Sequence, residues 1–223
     1  MTKKQFLPKL FLILSLILCL SAGSALAFKQ TTRCQIVRDA IAFAPSGLQE
    51  YLVKNFDAVH KGIHHVDILD KEQGRLNPYD AEEIYRSLVS SIKAGQLSSY
   101  NTAHRFGVLA SYLAESVNSM DLKHRRDMIP GLVRYDGPHR IDSIRNSLAR
   151  LIRDYHNPYY GQERREVTDF LYVVAVNEIV DHWTDVWLRS GQPIGAFKTA
   201  GADLRRTRES ELLRGVDIRV SSC

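Results

Sequence analysis

Cysteine is scarce in this chain: three residues in 223, at positions 19, 34 and 223. No Cys or His pair has a spacing that specifies a structural zinc site by itself, and no Cys is placed as a nucleophile. There is no G-x-S-x-G elbow, no Walker loop and no dinucleotide fingerprint, which excludes the common acyl-transfer, nucleotide-hydrolysis and hydride-transfer designs. Alternating apolar and polar runs are missing too, as are repeats and low-complexity linkers. What remains is metal-assisted hydrolysis or no chemistry at all.

Long apolar runs are also rare. The one that stands out lies at the N-terminus, Phe11 to Leu20, behind Lys3, Lys4 and Lys9 and ahead of Ala25-Leu26-Ala27. A positive n-region, a short apolar h-region and a small-x-small cleavage site describe a secretory signal peptide over residues 1–27. The run is short for a bilayer span. The expected mature protein, residues 28–223, is therefore exported, periplasmic or secreted, with no transmembrane helix. Loss of the three lysines lowers the formal charge from +5 to +2. No strong nucleic-acid footprint survives, and the Arg pairs at 125–126, 164–165 and 205–206 read as solvated helix faces. An oxidising compartment permits a Cys34–Cys223 bridge joining the two ends of the mature chain. The alternative is a buried Cys34 and a frayed Cys223.

The apolar spacing is helical almost throughout. Cys34 to Phe43 carries Ile36, Val37, Ala40 and Ile41, and Leu48 to Phe56 resumes after Pro45-Ser46-Gly47. Asp67 to Leu76 is polar and irregular. Asn77-Pro78 is a helix start and Gly95 a stop. Ser98 or Ser99 opens the next helix, which reaches about Val117. A loop spans Pro130 to Pro138, and further helices are expected over His139–Tyr155 and Glu163–Leu188. Ala200 onward is a final exposed helix or a loosely packed tail. The expected fold is all-α, a single bundle of about six to eight helices.

Histidines and acids cluster along this frame. His60 and His64 stand one helical turn apart, next to His65 and Asp67, and either chelate a metal or face solvent. Ser111, Glu115 and Asp121 follow His104. His139 and Asp142 flank Arg140-Ile141. His182 lies beside Trp183, a setting typical of a packed core histidine.

The stretch Ser111-Tyr112-Leu113-Ala114-Glu115-Ser116-Val117-Asn118-Ser119-Met120-Asp121 resembles the H-Y-L-G-D-x-x-Q-P-M-H motif of the zinc-dependent phospholipase C family. That family shares its fold with the fungal single-strand nucleases. Tyr112, Leu113 and Met120 agree outright, and Glu115 and Asn118 are near-replacements. Cys34–Ile41 is similar to the family's first ligand helix. Gly62 and Asp67 resemble its G-x-x-x-P-D segment, and His139–Asp142 its H-x-x-Y-E segment. The likeness runs from about residue 33 to 155, in order and spacing more than in identity. It implies an exported helical hydrolase that uses zinc or another divalent cation to cleave a phosphodiester such as a phospholipid. The implied ligands are Asp67, Glu115, Asp121 and His139, with His64, His65 and Asp142 as possible additions.

The departures matter. The motif's first His is Ser111 here, a poor ligand, and its last is Asp121. Arg33 stands about where the family has an N-terminal His, and a guanidinium cannot ligate a metal. Arg33 could therefore displace the metal by pairing with Glu115 or Asp121. The remaining acid-rich set would suit one hard or borderline cation better than a zinc cluster. Three readings follow: a metal-dependent phosphodiesterase, a non-catalytic domain on the same scaffold that binds a lipid headgroup or protein partner, and an unrelated exported helical protein. In the second and third the protein needs no metal.

Overall fold

A computed structural model describes residues 30–73, 78–118, 132–135, 137, 164–196 and 202–205. Among these residues the chain forms six helices: α1 (Gln30–Phe43), α2 (Ser46–Lys54), α3 (Phe56–Gln73), α4 (Pro78–Lys93), α5 (Tyr100–Asn118) and α6 (Arg164–Arg189). They make one all-α bundle, to which a short antiparallel ribbon of β1 (Leu132–Tyr135) and β2 (Ala202–Arg205) is added. Leu132 pairs with Arg205 and Tyr135 with Ala202.

Helix boundaries follow local chemistry. Ser99 caps α5: its hydroxyl oxygen accepts the Thr102 amide at 3.2 Å and lies 2.7 Å from the Thr102 hydroxyl. That satisfies a backbone donor the first helical turn leaves open. Gly95, at φ +78°, ends the turn after α4 in a conformation that only glycine adopts without strain. Asn55 separates α2 from α3, and its side-chain amide donates to the Tyr51 carbonyl at 2.8 Å. α3 continues through Asp67 to Gln73, so a polar stretch expected to be irregular is helical. The ribbon's first strand occupies the expected 130–138 loop, and its second falls where a final exposed helix or a loosely packed tail was expected.

The core is built around α5 and α6. Every residue of α5 from Phe106 to Leu113 is buried, and α6 is buried on nearly all sides from Ala175 to Val186. The Trp183 indole N–H donates to the Phe106 carbonyl at 3.1 Å, tying the two helices. Burial of their apolar side chains is the main stabilising term, at roughly 25 cal/mol per Å². After α6 the chain returns to the start of α2. There the Ser46 amide donates to the Ala196 carbonyl at 3.0 Å, and the Trp187 indole donates to the Pro193 carbonyl at 2.9 Å.

The closest approach is between α3 and α5, and two glycines make it possible. A Cβ on Gly107 would stand 1.9 Å from the Val59 carbonyl oxygen, and one on Gly62 would stand 2.0 Å from the His104 carbonyl oxygen. The Ser111 hydroxyl donates to the Ile63 carbonyl at 2.9 Å across the same seam. Gly62 and Ser111, read from the sequence as positions of a metal-site motif, thus have packing roles here. Among the described residues no helix is long and apolar enough to cross a membrane.

Candidate metal centre

α1 packs against α3 near its own first turns. Cys34 stands on α1, buried at 1% exposure, while His60 and His64 stand one turn apart on α3 and are half-buried. Residues four apart share a helix face, so both imidazoles turn the same way, toward Cys34. One donor atom from each of the three residues lies within 4.8 Å of the other two. The Nε2 atoms of His60 and His64 are 3.1 Å apart, with their rings at 89°.

These dimensions suit a single ion. Zinc–nitrogen bonds of about 2.0–2.1 Å and tetrahedral angles place two bound imidazole nitrogens about 3.3 Å apart. The observed nitrogen spacing is within a few tenths of an ångström of that. Thiolate and imidazole donors favour zinc or copper over magnesium or calcium. The protonation state suits binding as well. Burial, then the neighbouring His64, then the Arg38 charge hold His60 below its usual pKa, against a smaller opposing effect of Asp57. A neutral imidazole is the ligating form. At the rim, the Gln30 side-chain amide lies 2.5 Å from Nδ1 and 3.0 Å from Nε2 of His64.

The structure brings together only some of the residues expected from the sequence. His64 is in the cluster. His65, one residue on and so about 100° around the helix, faces another way. Its ring lies 5.3 Å from that of His104, which in turn stacks on Tyr100 at 6.0 Å. Arg33 is buried on α1 beside Cys34, and Glu115 is half-buried near the end of α5. The backbone of Asp67 lies on α3, one turn beyond His64. Asp121, His139, Asp142 and Cys223 lie outside the described residues, so the acid-rich ligand set and the Cys34–Cys223 pairing rest on the sequence. His182 is a core histidine: it is fully buried, with Nδ1 2.7 Å from the Glu178 carbonyl oxygen.

The i, i+4 spacing of His60 and His64 is visible in the sequence. The arrival of Cys34, 26 positions upstream of His60, is a tertiary event, and only the hydrophobic spacing of α1 hints at which way that residue faces. Comparison with protein-family models, with curated proteins and with solved structures finds no match to this chain.

Proposed function

We propose that this protein is an exported, zinc-binding helical domain that hydrolyses phosphodiesters, with Cys34, His60 and His64 as the protein ligands. The observation behind this reading is the convergence of one thiol and two imidazoles, from two helices, within 4.8 Å. Three protein donors leave one tetrahedral position open, the arrangement of catalytic rather than structural zinc sites. A zinc there supplies an acidified water near neutral pH and a Lewis acid for a phosphoryl oxygen. The chain's own contributions are the buried thiol at the floor, the two imidazoles at the half-buried rim, of which His60 is held below its usual pKa chiefly by burial, and the Gln30 amide beside His64. The phosphodiester comes from the likeness of Ser111–Asp121 to the phospholipase C motif, and export from residues 1–27.

A second reading keeps the metal and drops the turnover. It is favoured by Ser111, whose hydroxyl is committed to the Ile63 carbonyl. The protein would then be a metal-binding scaffold for a lipid headgroup or protein partner.

Mass-spectrometric metal content of untagged residues 28–223, together with hydrolysis of bis-p-nitrophenyl phosphate, separates these readings. One zinc per chain, with turnover that disappears in Cys34→Ser and His64→Ala, supports the hydrolase. One zinc without turnover supports the scaffold. A folded chain that takes up no zinc overturns both.

A further inference from the structure

We infer that Gln30 is the fourth donor of this centre: its side-chain carbonyl oxygen holds the coordination position that Cys34, His60 and His64 leave open, and an incoming ligand displaces it. The inference rests on the metal reading above and adds the group that guards the ion.

The placement comes first. Gln30 is the first residue of α1, and Cys34 follows it by four. Residues at that interval share a helix face, as His60 and His64 do on α3. Two such pairs, one from each helix, therefore frame the centre. They meet at His64, whose Nε2 lies 3.1 Å from Nε2 of His60 and 3.0 Å from the Gln30 amide nitrogen. Two donors on one tetrahedral ion stand about 3.3 Å apart. The Gln30 amide thus already keeps the spacing of a neighbouring ligand.

Donor chemistry comes second. A primary amide carries an acceptor oxygen beside its nitrogen, and a half-turn about the Cγ–Cδ bond exchanges the two. The Gln30 nitrogen faces the His64 ring, closer to Nδ1 at 2.5 Å than to Nε2. Binding through oxygen takes that half-turn and a swing of the side-chain tip toward Nε2. Gln30 is exposed, so neither movement displaces packed atoms. Its amide oxygen is neutral and suits zinc less well than a thiolate or an imidazole. Among the four donors it is also the only exposed one, since Cys34 is buried and both histidines are half-buried. Gln30 is therefore the donor that leaves, and its release opens one position without loosening the other three.

The test uses residues 28–223 loaded with cobalt(II), whose visible absorption reports its ligands, and azide as the incoming ligand. Gln30→Ala is expected to bind cobalt at least about tenfold more weakly. The same variant should bind azide at least about tenfold more tightly, because no protein donor has to leave first. Gln30→Glu, which offers a charged oxygen from the same place, should bind cobalt more tightly and azide more weakly than wild type. Unchanged cobalt affinity in Gln30→Ala overturns the inference. So does weaker cobalt binding with unchanged azide affinity, which makes Gln30 a hydrogen-bonding partner of His64 and not a donor to the ion. Cobalt binding in Gln30→Glu no tighter than wild type overturns it too. In these three cases the metal reading stands. A wild type that takes up no cobalt overturns this inference, and one that takes up no zinc either overturns the metal reading as well.

Discussion

Cys34 is the residue on which the metal centre depends, because it supplies the sulfur that distinguishes the site from a pair of surface histidines. Its side chain is buried, so replacement by serine changes one atom in a closed space and leaves the packing nearly intact. The hydroxyl is a far weaker zinc donor than a thiolate. Loss of an outer-shell partner of a metal ligand typically costs about 10–100-fold in affinity, so loss of a ligand should cost at least about 100-fold. Competitive zinc titration of Cys34→Ser and His60→Ala checks this, with far-ultraviolet circular dichroism showing that the helices persist. The same residue links the site to redox state. A thiol locked in a disulfide cannot bind a metal, so the centre requires Cys34 to be reduced when zinc is present. Titration of denatured, chelated residues 28–223 with a thiol reagent should therefore find two thiols per chain, Cys34 and Cys223. Finding none would identify a bridged chain and remove Cys34 from the ligand set.

At the scale of elements, the α3–α5 seam sets where the histidines stand. Gly62 and Gly107 let the two backbones meet at distances that no side chain permits. Gly107→Ala forces a methyl group against the Val59 carbonyl, and neither helix backbone can yield cheaply. Overpacking of this kind typically costs about 1–3 kcal/mol, and thermal denaturation should show a lower Tm. His60 immediately follows Val59, so the displaced segment carries the metal ligand, and zinc affinity should drop alongside stability. Much of the helical frame was legible from the sequence, since Asn77-Pro78, Gly95 and Ser99 are local start and stop signals that act within one turn. The continuation of α3 past Asp67 was not, because a polar stretch can stay helical when the helix it extends is anchored by packing. The β1–β2 ribbon was equally hidden: its two four-residue strands are separated by about 70 residues of chain. The site was half legible. The His60–His64 spacing is written along α3, whereas the approach of Cys34 depends on how α1 is seated. The glycine and serine that resemble motif positions turn out to have duties in helix packing.

At the scale of the whole molecule, the buried histidines make stability depend on pH in one direction. Burial holds His60, His104 and His182 below the ordinary value of 6.5. His182 is the most enclosed, with burial outweighing the favourable fields of Glu178, Asp185 and Glu82. For a base whose folded pKa is depressed, the unfolded chain binds more protons than the folded one between the two values. Stability is therefore fully present above about pH 6.5 and is lost as pH falls from there through the folded values. The metal adds to the same trend. Zinc that binds only the folded chain contributes RT ln(1 + [L]/Kd), about 2.7 kcal/mol at a hundredfold excess over Kd, and protonation of His60 and Cys34 removes that contribution. Tm of the chelated protein should therefore fall between pH 7.5 and pH 5.5, by about 2–4 °C for each kcal/mol lost in a domain of this size. The zinc-loaded protein should lose more over the same range. His182→Gln removes the most deeply buried titrating group without touching the metal ligands. Its expected signature is a flatter Tm–pH profile in the chelated form, whatever its absolute Tm, with the additional zinc-dependent drop preserved. A profile as steep as wild type would show that protonation of His182 does not drive the acid loss and would point, among the described residues, to His60 and His104.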